Sequence, residues 1–127
     1  MTAPNGLGAA GRRVWCSIVG GLPDGWDLDE RELSILALAA READVVAALE
    51  RTVKRDGLMV TGSAGQPRVH PAVAEARQGR LAVGRLLAQI ALPDEDAAPR
   101  SESSKRAQHA AQARWRRKER TRGAATA

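Results

Sequence analysis

The segment Gly57–Pro71 separates the two longest stretches of helix-forming sequence and constrains the fold more than any other part of the chain. It is also the only part whose residues favour strand, since Leu58–Val60 is one short apolar run and Arg68–His70 is another. Turn-forming residues lie between these runs. Gly57 suits the end of a preceding helix, and Pro71 suits the first turn of a following one. The sequence therefore predicts a β-hairpin at an elbow that turns one helix back along another.

The stretch Glu30–Asp56 contains no Gly or Pro and predicts a single long helix. Asp29 followed three residues later by Glu32 has the form of a capping box, which places the helix start at Glu30. Helical periodicity puts apolar residues on two nearly opposite sides of this helix. The first side consists of Ile35, Leu38, Val45, Val46, Leu49 and Val53, and the second consists of Leu33, Leu36, Ala37, Ala40 and Ala43.

A helix that is apolar on two sides needs two packing partners. We expect the arm after the elbow to cover the first side, and the N-terminal helix and a neighbouring subunit to share the second. This second side supplies the predicted oligomerisation residues Leu33, Leu36, Ala40 and Ala43. Glu42 lies within the first side, where we interpret it as part of an ion pair with an arginine of the next helix, such as Arg80 or Arg85, or of another subunit. The alternative is a catalytic carboxylate.

The remaining elements complete an all-α fold. Residues 1–7 are predicted to be disordered, and Gly8–Val19 is predicted to form a short helix. Prolines bound a second arm over Ala72–Leu92. Residues 8–93 are thus one domain, an N-terminal helix followed by a long antiparallel helical hairpin with a short β-hairpin at its elbow, and this domain is expected to be oligomeric. Residues 94–127 are expected to form an acidic linker and a flexible basic C-terminal tail.

The net charge of +5 is unevenly divided along the chain. Residues 1–99 hold 11 Lys and Arg against 13 Asp and Glu, which gives −2, whereas residues 100–127 hold 9 against 2, which gives +7. Phosphate binding by the bulk charge of the folded domain is therefore excluded, while binding by the tail stays open. The predicted DNA-binding residues are Lys105, Arg106, Arg114, Trp115, Arg116, Arg117, Lys118, Arg120 and Arg122 in the tail, with Arg12, Arg13 and Arg68 in the folded domain.

The tail regains helical propensity, because Ala107, Ala111 and Trp115 are spaced four residues apart among arginines. Its apolar face is too narrow for the tail to fold by itself, so we expect a helix only in the presence of a partner. Two interpretations stay open. One is phosphate contact with Trp115 available for stacking or as an anchor, and the other is a solvated run of charge.

The sequence contains no motif that indicates catalysis, a metal or a cofactor. The two histidines, His70 and His109, lack carboxylate or cysteine neighbours at ligand spacing, and neither a phosphate-binding loop nor a nucleophile elbow occurs. The single cysteine, Cys16, permits no internal disulfide and is expected to be a small buried hydrophobe. No apolar run approaches the ~20 residues of a membrane span, and no secretory signal begins the chain. These features favour a soluble, cytoplasmic binding protein without enzymatic activity.

Four segments carry a family resemblance, and they are AGRRVWCSI, LDERELSILALAAREADVVAAL, DGL and HPAVAEARQGRLAVGRLLAQIALP. In this order and spacing, over residues 8–93, they resemble the small terminase subunits of tailed bacteriophages, in particular the P27-like group. The most specific part is the second arm, which matches the family pattern at Pro71, Glu75, Arg77, Arg80, Leu86, Leu87 and Pro93. The family usually has Asn at the position of His70.

This resemblance implies a non-enzymatic DNA-packaging factor in the host cytoplasm. Small terminase subunits assemble into homo-oligomeric rings, engage double-stranded viral DNA and present it to the large terminase subunit, which carries the ATPase and nuclease. Two other functions are to be distinguished from this one. A helical transcription regulator would use an irregular helix-turn-helix near residues 8–40 as a dimer, and a structural adaptor would dock its tail on an acidic protein surface.

Overall fold

The computed structural model describes residues 1–93, so the predicted linker and tail, residues 94–127, lie outside the described residues. Residues 1–93 are mostly helical. Their helices are α1, Ala9–Gly20, α2, Glu30–Asp56, and α3, Pro71–Leu87, and their strands are β1, Met59–Thr61, and β2, Pro67–Val69. Both α1 and α3 pack against α2. The predicted N-terminal helix, helical hairpin and β-hairpin at the elbow are confirmed.

α2 has the boundaries that the sequence predicts, because both of its ends carry the expected backbone chemistry. The Asp29 side chain accepts a hydrogen bond from the Glu32 N–H at 2.7 Å, and the Glu32 side chain accepts one from the Asp29 N–H at 2.8 Å. This reciprocal pair satisfies donors that a helix start leaves open. At the other end Gly57 adopts a φ of 88°, where a side chain would be strained, and its N–H donates to the Val53 carbonyl.

The elbow is a short antiparallel hairpin in which Met59 pairs with Val69 and Val60 pairs with Arg68. β1 begins one residue later than predicted and β2 one residue earlier. The antiparallel register brings the end of α2 beside the start of α3. The two helices therefore run in opposite directions along each other.

α3 ends at Leu87, before the predicted end at Leu92. Beyond Leu87 the hydrogen bonds tighten to a three-residue spacing, with Gln89 N–H donating to the Leu86 carbonyl and Ile90 N–H to the Leu87 carbonyl, both at 3.1 Å. The tighter turn places Ile90 in the core, where it is 6% exposed. Burial of this apolar side chain offsets the loss of a further helical turn.

The apolar core lies along the first half of α2, at the end remote from the elbow. It consists of Leu7, Trp15, Leu28, Ile35, Leu36, Ala40 and Ile90, with apolar residues of α1 and of the end of α3 packed against them. Leu7 is 3% exposed. The segment of residues 1–7, which the sequence predicts to be disordered, therefore contributes a buried side chain to the core.

The second apolar side of α2, which holds the predicted oligomerisation residues, is largely buried within a single chain. Leu36 and Ala40 are completely buried, Leu33 packs half-buried against the core, and Ala43 is half-buried. The N-terminal helix α1 packs on α2 and takes the place that the prediction shared with a neighbouring subunit. Leu36 and Ala40 offer no surface to another copy.

Apolar residues are instead exposed on the side of α2 that the prediction assigned to the second arm. Leu38 is 53% exposed and Val45 is 51% exposed. Cys16, which was expected to be buried, is also exposed. Helical periodicity identified the apolar positions of α2 correctly. The prediction that the second arm covers Leu38 and Val45 was wrong.

Two glycines allow α1 and α3 to approach α2 closely. A β-carbon at Gly11 would lie 2.5 Å from the Ala40 carbonyl oxygen, and a β-carbon at Gly79 would lie 2.5 Å from a methyl group of Val46. Both distances are too short for a side-chain carbon, so each crossing depends on the absence of one. Gly84, on the same helix as Gly79, meets no atom of another described element within 4 Å.

Candidate nucleic-acid interface

An open cleft of about 220 Å³ lies between the three helices. Its apolar lining comes from small or branched side chains, which are Ala10, Ala43, Val46, Ala47 and Val83. Its charged lining comes from one residue of each helix, which are Arg13, Glu50 and Arg80. Arg13, one of the residues predicted to bind DNA, is exposed at this cleft.

The guanidinium of Arg80 donates a hydrogen bond from Nη1 to Oε1 of Glu50. The Arg80 and Glu50 side chains are 56% and 50% exposed, so solvent screens the pair and its contribution to stability is small. The predicted pair of Glu42 with Arg80 is not formed, because Arg80 lies about two turns further along α2, beside Glu50. Glu42 instead lies against Gly79, where its Oε1 would be 2.9 Å from a β-carbon.

Further cations continue the charged lining toward the elbow. Lys54 follows Glu50 by one turn of α2, on the side that lines the cleft, and Arg51 follows Ala47 by one turn, at the edge of that side. Both side chains are exposed. We call Arg13, Arg51, Lys54 and Arg80 the basic cleft face. It holds four cations against two carboxylates, those of Glu50, which pairs with Arg80, and of Glu42, one turn before Val46, so it carries a local excess of positive charge.

The carboxylate of Asp44 fixes the start of α1. Gly8 N–H donates to Oδ2 of Asp44 and Gly11 N–H donates to Oδ1, both at 2.8 Å. Gly8 occupies the N-cap position and has no side chain with which to cap the helix, so a residue of α2 takes that role. A carboxylate at a helix N-terminus is also favoured by the helix dipole. Asp44 thereby sets the position of Arg13 at the cleft.

The other predicted DNA-binding residues are not brought together at this cleft. Arg12 is exposed but does not line the cleft, since it lies about 100° around α1 from Arg13. Arg68 is exposed on β2, opposite Val60 in the hairpin. The predicted positions in the basic tail lie outside the described residues.

His70 caps α3 and links it to the end of α2. Ala72 N–H donates to Nδ1 of His70 at 3.0 Å, so Nδ1 is unprotonated and the neutral ring carries its proton on Nε2. Nε2 lies 3.2 Å from Oδ2 of Asp56, to which it donates. Arg55 donates to Oδ1 of Asp56 at 2.7 Å. The hydrogen bonds from Arg55 and then from His70 lower the pKa of Asp56 to about 2. The imidazole thus replaces the Asn that the family resemblance leads one to expect at this N-cap.

The guanidinium and ammonium groups of the basic cleft face are able to donate charge-assisted hydrogen bonds to an anion. Within residues 1–93 no group of three or more His, Cys, Asp or Glu side chains is placed to hold a metal ion. The described helices also include none that is both long enough and apolar enough to cross a membrane. Comparison with known protein families, with curated proteins and with solved structures finds no match for this chain.

Proposed function

We propose that this chain is a small terminase subunit, a non-enzymatic factor in the packaging of phage DNA. In this proposal it binds double-stranded viral DNA as a homo-oligomeric ring and presents the DNA to the large subunit, which carries the ATPase and nuclease, in the host cytoplasm. The resemblance over residues 8–93 supports the family. The DNA-binding part of the proposal is carried by one observation, the +7 charge of residues 100–127.

Contact of the tail with DNA phosphates would be largely independent of base sequence. Each cation that neutralises a phosphate releases condensed counterions, so the affinity falls steeply as salt rises. In a ring, several tails act on one DNA molecule, and the high effective concentration amplifies weak binding by each tail. Loss of the tail charge therefore weakens binding more than the chemistry of one subunit suggests.

Assembly into a ring needs apolar surface that the single chain leaves exposed. Leu38 and Val45 are separated by two turns of α2, so they lie on one face of the helix, and each is more than half exposed. We place a contact between copies on this face rather than at Leu36 and Ala40. Apolar surface of this kind is commonly covered by a partner subunit.

The DNA-binding part is tested by changing Arg114, Arg116, Arg117 and Lys118 to Gln in the full chain. Affinity for random duplex DNA is measured by fluorescence anisotropy over a range of salt concentrations. We expect affinity at low salt to fall strongly and the slope of log affinity against log salt to drop by up to about 3.6. The matched control changes Arg114, Arg116 and Arg117 to Lys, which keeps the charge and should keep most of the affinity.

Light scattering of the same preparations separates packaging from transcriptional regulation. A mass of many subunits supports a ring, whereas a stable dimer that protects one palindromic site favours a regulator. A chain that binds no DNA even at low salt contradicts both and favours the structural adaptor.

A further inference from the structure

We propose that the basic cleft face of the folded domain is a second contact for the phosphodiester backbone of duplex DNA, independent of the tail. This inference rests on the proposed function, because it assumes that the chain binds DNA. It goes beyond that function by assigning a contact to Arg13, Arg51, Lys54 and Arg80. Of these four residues only Arg13 was predicted from the sequence to bind DNA.

The bulk charge hides a strong separation of charge within the folded domain. Residues 1–50 hold 4 Lys and Arg against 8 Asp and Glu, which gives −4. Residues 51–93 hold 7 against 2, which gives +5. Because a phosphate responds to charges within about 10 Å at ordinary salt, the local excess decides binding and the sum over the domain does not.

The four cations of the basic cleft face come from three helices that are fixed relative to one another. Arg13 lies two residues after Gly11, whose amide Asp44 holds, and Arg80 is oriented by Glu50. Arg80 uses one N–H in that hydrogen bond, and a guanidinium has five, so donors remain for a phosphate oxygen. A preorganised set of donors loses less entropy on binding than a set on a loop.

The carboxylates near the cleft compete weakly with an incoming phosphate. Glu50 is already bonded to Arg80, and both oxygens of Asp44 accept backbone N–H groups of α1. Glu42 lies one turn before Val46 of the cleft lining and against Gly79, so its carboxylate is a second anion at the face, still outnumbered by the four cations. The cations therefore outnumber the available anions along the whole face.

The shape of the cleft favours nucleic acid over an acidic protein. Protein interfaces depend on large anchor side chains inserted into apolar pockets. Here the apolar lining is shallow and is made largely of alanines, whereas the cations extend along α2 toward the elbow. An extended row of cations suits a ligand whose negative charges repeat at regular spacing, as the phosphates of DNA do.

The test uses the full chain, with the tail intact, and two variants of equal charge. The cleft variant carries Arg13→Gln, Arg51→Gln and Lys54→Gln, and keeps Arg80 so that Glu50 is not left without its partner. The control variant carries Arg31→Gln, Arg41→Gln and Arg85→Gln, which are exposed cations that do not line the cleft. Circular dichroism is used to check that both variants keep the helical content of the wild type.

Binding to random duplex DNA is measured at about 0.1 M salt, where charges more than about 10 Å from the contact are screened. We expect the cleft variant to bind roughly tenfold more weakly or worse, and its log–log salt slope to be smaller by about 2.7. We expect the control variant to change the slope by much less. A second titration uses poly-glutamate in place of DNA.

The outcomes distinguish this inference from the proposed function. If the wild type binds no DNA at low salt, the proposed function fails and this inference falls with it. If the wild type binds DNA and the cleft and control variants have the same affinity and slope, the inference alone is overturned. A cleft variant that loses affinity for poly-glutamate but not for DNA also overturns it, in favour of an acidic protein partner.

Discussion

The two ends of α2 differ in what holds them and in what they expose. At the end remote from the elbow, Leu36 and Ala40 are completely buried, and Ile90 packs with them in the core. At the elbow end, Met59 and Val69 are each 52% exposed. Burial of apolar surface is the main stabilising term in folding, so the core end supplies most of the stability.

The elbow end is held mainly by polar contacts instead. His70 links the start of α3 to Asp56 at the end of α2, and Arg51 and Lys54 project from the last turns of α2. Little apolar burial is at stake there, so its surface residues can change at small cost. We therefore expect substitutions at the core end of α2 to lower stability, and substitutions at its elbow end to change partner binding with little effect on stability.

The largest expected effect is at the core end, where Leu36→Asp places an unpaired charge in a completely buried site. We expect a loss of several kcal/mol, enough to unfold the domain. Leu38→Asp is the matched control, since Leu38 is 53% exposed and should change the free energy of unfolding by about 0.5 kcal/mol or less. Urea unfolding followed by circular dichroism measures both. Equal losses of unfolding free energy in the two variants would contradict the placement of Leu36 in the core and Leu38 on the surface.

Leu38→Asp also tests the proposed contact between copies of the chain. If copies of the chain meet at Leu38 and Val45, the variant keeps its helical content but has a lower mass in light scattering. A variant that keeps the mass of the wild type shows that assembly uses another surface.

A smaller effect is expected where helices cross through glycine. Gly11→Ala places a β-carbon against the Ala40 carbonyl, which cannot rotate away, and should cost about 1–3 kcal/mol. Gly79→Ala meets side-chain atoms of Val46 and Glu42 and no backbone atom, and should cost less. Gly84→Ala is the control, because it meets no described atom within 4 Å and should stabilise α3 by up to about 1 kcal/mol. Thermal unfolding ranks the three variants by stability. A Gly84→Ala variant that is less stable than the wild type would contradict the expected ranking.

The smallest effect is at the elbow and depends on pH. Hydrogen bonds hold the pKa of Asp56 at about 2 in the folded chain, against an ordinary value of 3.8. Stability from this carboxylate is therefore fully present above about pH 4 and is lost as the pH falls toward 2. The difference in stability between the wild type and Asp56→Asn should shrink over that range. A difference that is constant with pH counts against the contact.

An NMR titration of the Asp56 carboxyl separates the two roles of His70. His70→Asn keeps an N-cap for α3 but removes the donor at Nε2, so the pKa of Asp56 should move back toward 3.8 while α3 keeps its start. An unchanged pKa in this variant would assign the whole shift to Arg55.

The elements of the fold were predictable where local chemistry alone decides them. The capping box and the absence of Gly and Pro set the two ends of α2. Gly57 and Pro71, which flank the elbow, set its position. The end of α3 was not predictable, since it depends on the burial of Ile90. The packing of Leu38 was assigned wrongly, because periodicity gives the faces of a helix but not the element that covers each face.

The candidate site was predictable only in part. Arg13 was identified by its charge and exposure, whereas Arg51 and Lys54 were missed because charge was summed over the whole domain. Counting charge separately for residues 1–50 and 51–93 would have shown the excess of positive charge in residues 51–93. The role of Asp44 had no local signal, since its partners Gly8 and Gly11 lie more than 30 positions away in the sequence.

That separation has a consequence for synthesis of the chain on the ribosome. Asp44 follows Gly11 by 33 positions, and a ribosome that adds roughly 5–20 residues per second needs roughly 2–7 s to reach it. During this interval the first turn of α1 has no carboxylate to accept its amides. The N-terminus of α1 therefore acquires its capping carboxylate only after the first half of α2 has been synthesised.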